Sequence, residues 1–283
     1  MAASRNLLSI VVPTKNRPQS LRRLLESLQR QDYRPYEVIV VDDASDAPVS
    51  SLNGVSVIRR EVSGGCGPAR NDGIAASHGV FIASFDDDCE ITDPSLLVRA
   101  VEFLERYPLC GAVAFTQTDP HGCPRGAQVS GSTVPCYAPN FFGFGHLLRA
   151  EAIRQVGGFV LDYYYEDVEL SLRLWDARWS IIYDPSLAVV HHHDWQGRGW
   201  TALNRKILRN TILAALLRFP AWLVPVMVSR YAYSYLRQSR DWAGVAWALG
   251  GAARFPHVLH NRRPIRWQTI RNWRRLRERP IPL

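Results

Sequence analysis

Val80-Phe81-Ile82-Ala83-Ser84-Phe85-Asp86-Asp87-Asp88 sets an apolar run directly before three consecutive carboxylates. A short apolar run closed by turn-forming residues reads as a buried strand. In doubly wound sheets ligands collect beyond the carboxyl ends of the strands, which is where this strand delivers its charges. Like charges repel, so three adjacent carboxylates call for a cation or for plentiful water. Hard oxygen ligands favour Mg²⁺ or Mn²⁺. On its own the triplet fits a solvated acidic turn equally well.

Working outward from that strand, short apolar runs alternate with helical patterns over the first half of the chain. Leu8–Val12 reads as another buried strand, and Pro18 opens a helix in which Leu21, Leu24, Leu25 and Leu28 recur at i, i+3, i+4 and i+7. Glu37–Val41 and Val55–Arg60 read as two more strands, the first running into Asp42-Asp43. Gly64, Gly65 and Gly67 form a loop before Pro68 and a helix through Ser77, but no Gly-Lys-Ser/Thr follows, so the loop is not a Walker A motif. Asp93-Pro94 caps a helix ending near Tyr107, and Ala112–Phe115 follows as a strand. The alternation predicts an α/β fold with a mainly parallel sheet and crossover helices.

Gln117–Asn140, rich in Gly, Pro, Ser and Thr, reads as loop or short strands near an acceptor site. Then come Phe141–Leu148, a helix from Arg149, the turn Gly157-Gly158, a helix over Glu166–Asp176, and strands near Ile181 and Val189. Beyond residue 199 the character changes to Arg- and Trp-rich helical segments. We therefore divide the chain into residues 1–199, with halves 1–116 and 117–199, and a helical extension over 200–283.

The 283 residues, 47% hydrophobic and 21% charged, suit a globular protein and argue against a disordered or fibrous one. Much of the net charge of +8 sits near the end, where eight arginines between Arg262 and Arg279 face only Glu278, a balance that suggests a polyanionic partner. The five cysteines form no C-x-x-C pair and read as reduced thiols of a cytoplasmic protein. Met1–Asn6 leads straight into a strand without the pattern of a signal peptide. Thr211–Val228 is broken by Arg218, Pro220 and Pro225, which leaves fewer than the roughly 20 apolar residues that a spanning helix needs.

Six segments resemble, in order and approximate spacing, the inverting family 2 glycosyltransferases of GT-A fold: Ser9–Arg17 (SIVVPTKNR), Val40–Ser45 (VVDDAS), Ala69–Ile74 (ARNDGI), Asp86–Asp88, Gly157–Phe159 and Glu166–Leu170 (EDVEL). The stretch between Phe159 and Glu166 is shorter than the family pattern. The resemblance implies a Rossmann-like nucleotide-sugar half followed by an acceptor half. It implies that Asp43 accepts the N3 hydrogen of a uracil-type base, that Pro13 and Thr14 line the nucleoside pocket, and that Arg70 and Asn71 approach the donor. Asp88 becomes a direct ligand of Mn²⁺ or Mg²⁺, with Asp86 and Asp87 nearer the ribose and donor sugar. Asp167 becomes the general base, with Glu166 orienting it or touching the acceptor. His191, at the end of a late strand, completes the metal site, and strand alternation puts His193 on its side and His192 away.

The chemistry implied is transfer of a sugar from a nucleoside diphosphate (a UDP- or dTDP-sugar) to a hydroxyl of a glycan, a lipid-linked acceptor or a small molecule. Tyr163, Tyr164 and Tyr165 are candidates to stack on sugar faces. In the extension, tryptophans and tyrosines mixed with arginines fit an anionic membrane surface; a packed helical cap or a homodimer contact is the alternative. A sugar nucleotidyltransferase would place a Gly-rich loop with Arg or Lys after the first strand, where Pro13-Thr14-Lys15-Asn16 stands instead. No nucleic acid is expected, because the basic residues are confined to the tail while the first half is rich in paired carboxylates.

Overall fold

All seven residues of β1 (Leu8–Thr14) are buried, as befits a strand with neighbours on both edges and helices on both faces. In this computed structural model, which describes residues 6–50, 53–124, 132–193, 199–253 and 262–283, β1 pairs in parallel with β2 (Tyr36–Asp42) and with β4 (Phe81–Phe85), and β2 with β3 (Val55–Arg59). The register Thr14↔Asp42 ends β1 and β2 level with each other. Thr14 and Asp43 therefore emerge at one edge of the sheet, beside the acidic triplet after β4.

The second half departs from the expected parallel pattern. The sheet order is β10-β7-β9-β6-β8-β4-β1-β2-β3, and β8 (Gly145–Arg149) is antiparallel to both β4 and β6 (Cys110–Thr118). Periodicity shows that a run is a strand but not which way it pairs, so this reversal was not readable in advance. The segments near Ile181 and Val189 are one strand, β9 (Ser180–His191), parallel to β6 with an irregularity around Pro185. On the edge of β9 away from β6, two-residue β5 (Cys89–Glu90) pairs antiparallel with its end and β7 (Cys136–Tyr137) antiparallel with its start. Part of the 117–140 segment, residues 125–131, lies outside the described residues.

Helices α1 (Pro18–Gln29), α2 (Cys66–Ala75) and α3 (Leu96–Arg106) are the expected crossovers, with Leu21, Leu24 and Leu28 of α1 turned inward. Gly73 lets α2 lie close on the sheet, since a Cβ there would sit 2.4 Å from Val11 Cγ1. Helices α4 (Ala150–Val156) and α5 (Glu166–Asp176) follow.

The extension forms α6 (Trp200–Arg218), α7 (Val224–Ser239), α8 (Trp242–Ala253) and α9 (Trp267–Glu278), and then returns to the main sheet as β10 (Ile281–Pro282), antiparallel to β7. The division at 199/200 falls at the start of α6, yet polar contacts cross it. Glu169 of α5, wholly buried, is met by Arg173 at 2.7 Å and by Arg218 of α6. Asp162 takes Arg209 at 2.6 Å and Asn210 at 2.9 Å. A buried carboxylate left without its arginine is costly, so the Glu169 tie fastens α6 to the first domain, and the partly exposed Asp162 adds a second contact. Among the described residues no helix is long and apolar enough to cross a membrane.

Candidate active site

A cleft of about 1000 Å³ opens where the strand ends meet α6 and the loop before α5. Pro13, Thr14, Asp43, Arg70, Asp86, Asp87, Asp88, Glu166, Asp167 and His191 all line it, so the fold gathers these predicted residues at one place. Asn71 does not. Its amide nitrogen donates to Phe159 O at 2.8 Å and its oxygen accepts from Phe159 N at 2.7 Å. That two-way clamp, one residue round α2 from Arg70, faces the Gly157–Phe159 turn, and the expected donor contact by Asn71 is corrected on that ground.

On the donor side every carboxylate is answered by a cation or by oriented amides. Asp42 turns back under the sheet end, accepting from Ser45 N at 2.9 Å, Val49 N at 3.1 Å and Arg59 at 2.6 Å, and so serves as the frame. Asp43 accepts from Gly64 N and Gly65 N, both at 2.9 Å, from Ser63 Oγ at 2.7 Å and from Arg60 at 2.8 Å. Burial alone would raise its carboxyl pKa, but these four donors outweigh it and hold the group below the ordinary carboxylate range. They also occupy all four of its lone-pair sites, so a base N3–H reaches Asp43 by displacing one of them or by sharing an oxygen. Gly65, at φ +92°, is what lets the loop turn its N–H groups inward.

In the acidic triplet the side chains diverge. Asp86, the most exposed, pairs with Arg70 at 2.5 Å. Asp87 accepts from Thr14 Oγ1 at 2.7 Å and from Arg17 at 3.0 Å, and burial still pushes it up to about 6. The same Arg17 nitrogen lies 3.0 Å from Asp88 Oδ2, while Asp88 Oδ1 lies 2.9 Å from His191 Nε2. The pairing Cys89↔His191 between β5 and β9 enforces that meeting across 103 residues of chain.

Two ligand atoms in adjacent positions around an ion with bonds of about 2.1 Å stand about 3.0 Å apart, so the Asp88–His191 spacing suits a divalent metal. Cys89 Sγ also falls within 4.8 Å of these atoms, but burial drives its thiol well above the usual range and it donates to Phe144 O, which makes it a poor ligand. His193 stacks on His191 at 4.0 Å between centroids, and Gln117 bridges the two rings. His192 turns away to Glu90 at 2.9 Å, as alternation requires.

The base side is built differently. Tyr164 and Tyr165 hold left-handed backbone, φ 56° and 69°, a conformation that costs non-glycine residues energy and persists where the surroundings impose it. Asn210 imposes it by donating to the carbonyls of both Tyr163 and Tyr164. Immediately after this turn α5 begins. Asp167 accepts from Val168 N at 2.7 Å and Gly143 N at 3.0 Å, and among the described residues no cation pairs with it directly. Burial, then the neighbouring Glu166, push it up to about 7. Glu166 is raised too, by burial, against the pull of Arg70, which reaches its Oε1 at 3.2 Å; its Oε2 is buried with no hydrogen-bond partner among the described residues.

Arg70 is therefore a buried strut between Asp86 and Glu166 at the cleft wall, also donating to Gly143 O at 2.8 Å. Sequence reasoning missed Arg17, Arg60, Ser63, Gln117 and the α6 wall of Leu203, Lys206 and Ile207. Arg17 was in view, at the end of SIVVPTKNR. The α6 residues carry no local signal, because only tertiary folding brings them to the cleft.

The sequence model described as "Glycosyl transferase family 2" matches residues 9–155. Asp167 and His191 lie beyond that span, so geometry alone joins them to it. The chain is 32% identical over 245 residues to the pre-mycofactocin glycosyltransferase of Mycobacterium tuberculosis, covering 78% of this chain and 50% of the relative. The chain spans about half the length of that relative and of the colanic acid glycosyltransferase of Escherichia coli that it also matches. Its fold superposes on the mannosyltransferase PcManGT of Pyrobaculum calidifontis, solved with GDP-Man and Mn²⁺, with TM-score 0.59 and 21% identity over 89% of this chain and 75% of the other. S. aureus TarS 1-349 with UDP-GlcNAc gives TM-score 0.62 and 17% identity over 96% and 90%. A mixed sheet ending in an acidic triplet, a match to the family over just more than half of the chain and these GT-A neighbours agree: this protein is a glycosyltransferase of family 2.

Proposed function

We propose that the enzyme transfers a hexose, with inversion, from a UDP- or dTDP-sugar to an acceptor hydroxyl, using Asp167 as general base and a divalent ion, Mn²⁺ or Mg²⁺, at Asp88 and His191. The observation that carries this reading is that cation-answered carboxylates and a buried, proton-retaining one line the same cleft. Asp43 and its loop hold the base, Pro13 and Thr14 border the nucleoside, and Asp86 and Asp87 face the ribose and sugar. When bound, the ion neutralises charge on the departing diphosphate as a Lewis acid. Asp167 removes the acceptor proton as the hydroxyl oxygen attacks the anomeric carbon, and the bond to the diphosphate oxygen breaks in the same displacement. Arg70 pulls against the burial that raises Glu166, and Glu166 in turn adds to the rise in the pKa of Asp167.

The acceptor is a glycan, a lipid-linked glycan or a small molecule with a free hydroxyl, and the site of action is the cytoplasm at an anionic membrane surface. Nucleotide sugars screened by thermal shift with and without Mn²⁺ identify the donor. Product NMR then decides the stereochemistry: an anomeric configuration equal to that of the donor overturns inversion.

A further inference from the structure

Helix α8 is inverted relative to an ordinary surface helix. Its twelve residues, Trp242–Ala253, carry no charge, and the side turned inward holds Gly244, Val245, Ala248 and Ala252, the small ones. The large ones point out: Trp242 is 74% exposed, Trp247 45% and Leu249 42%. A helix folding only for its own domain buries its large apolar residues and presents charge to water. Beside it, α7 turns Val228, Tyr231, Ala232, Tyr235 and Leu236 toward the core that both helices share with α6. Its opposite stripe, at i, i+4, i+7, i+11 and i+14, is Val226, Arg230, Tyr233, Arg237 and Arg240, all exposed. Between Gly199 and Arg277 the sequence has fourteen arginines and one acidic residue, Asp241, which Arg205 holds at 2.7 Å.

The end of the chain behaves otherwise. Ile270, Trp273 and Leu276 of α9 are buried, Trp273 and Ile270 in a cluster with Leu172 of α5, so Trp273 is core, while Trp267 at the start of the helix is 40% exposed. Residues 254–261 lie outside the described set.

We propose that the outer face of α7 and α8 is a docking surface for an anionic lipid bilayer, with Trp242, Trp247 and Leu249 entering the headgroup layer and Arg230, Arg237 and Arg240 meeting lipid phosphates. This deepens the membrane placement proposed above and is independent of the catalytic reading, since binding needs no turnover. A bilayer fits better than a nucleic acid or other soluble polyanion because outward indole and leucine of α8 lie on the helix next to the arginine stripe of α7, and membrane-surface binding combines buried apolar area with attraction to anionic lipid. Arginine contributes attraction to an anionic surface at about fivefold in affinity per residue, and indole prefers the interface itself.

Flotation of the full chain with vesicles of phosphatidylcholine, with and without about 30 mol% phosphatidylglycerol, tests this. The wild type floats with the anionic vesicles only. Arg230→Gln/Arg237→Gln/Arg240→Gln weakens binding about 100-fold. Trp242→Ser/Trp247→Ser/Leu249→Ser abolishes flotation at about 0.1 M salt while donor-induced thermal shift stays as in the wild type, which shows that the fold is kept. Equal flotation by the triple Ser variant overturns the proposal. So does retention on heparin or DNA without flotation, and so does a dimer that the Ser variant dissociates while neither form floats.

Discussion

Asp43 and Asp167 line one cleft, and their surroundings push them in opposite directions. Asp43 ends a strand of the parallel half, where two loop amides, a hydroxyl and an arginine converge on it and favour its charge. Asp167 begins a helix in the other half, receives two backbone N–H groups, has Glu166 beside it and no direct cation among the described residues, and is held near 7. One fold thus holds one carboxylate below the ordinary range and another that exchanges a proton close to neutrality. That contrast supports the recognition and base roles proposed for them, as two like groups driven apart in pKa suit different tasks. Arg70 spans the two sides, with Asp86 on one end and Glu166 on the other.

The largest effect that tests this contrast is on catalysis. Asp167→Asn lowers kcat by about 10²–10⁴-fold with donor affinity within about twofold of wild type; a donor Kd that rises in step with the loss would move Asp167 to the donor side and dissolve the contrast. In the wild type at fixed Mn²⁺, kcat/KM rises with pH through about 7, because only the ionised base accepts the acceptor proton. A profile flat from pH 5 to 8 is incompatible with Asp167 as base. On the donor side, Asp88→Asn and His191→Ala each remove the Mn²⁺-dependent rise in Tm and leave the metal-free Tm within a few degrees. If either variant keeps the full Mn²⁺ response, the metal lies elsewhere.

The same contrast predicts opposite stability effects of one substitution. The folded pKa of Asp167 lies above the unfolded value of about 3.9, so its protonated form contributes stability that is complete below pH 4 and lost as pH rises through 7. Asparagine has no charge to bury. Asp167→Asn therefore raises Tm by roughly 5 °C or more at pH 8, and the gap closes toward pH 4. Asp43 is depressed, so its contribution is present above about pH 4 and lost in acid. Asp43→Asn lowers Tm at pH 8 by an amount matching about 1–3 kcal/mol, with the deficit shrinking as the wild type is acidified. Shifts of the same sign in both variants at pH 8, followed by thermal melts, would break the comparison.

Much of the first half was readable before the structure because its signals are local. The leucine spacing of α1, the apolar runs of β1, β2 and β4 and the carboxylates at two strand ends each follow from a few consecutive residues. The pairing of Asp88 with His191 was half readable: the residue types and the strand end were visible, but the antiparallel register of β5 on β9 that joins them was not. Unreadable altogether were the reversal of β8, the return of the chain end as β10 and the approach of α6 to the cleft. Each depends on which elements pack together, and nothing in Leu203, Lys206 or Ile207 marks them as neighbours of an acidic triplet more than a hundred residues earlier.

Arg70 and Asn71 show where such reading runs out. Both sit in one recognisable segment and both were expected at the donor, yet neighbours on a helix point about 100° apart. Arg70 goes to the carboxylates and Asn71 to the backbone of Phe159. Gly158 completes that second contact, since a Cβ there would lie 2.2 Å from Asn71 Oδ1. The expected result of Asn71→Ala is a loss of about 1–3 kcal/mol, from leaving the Phe159 N–H and C=O short of partners, with donor affinity unchanged. Urea unfolding and donor titration on the same variant separate the two readings. A stable variant with weakened donor binding restores the donor role that the hydrogen-bond geometry takes away. A destabilised one with normal binding places Asn71 in the frame that carries the turn toward Tyr164, Tyr165 and the base.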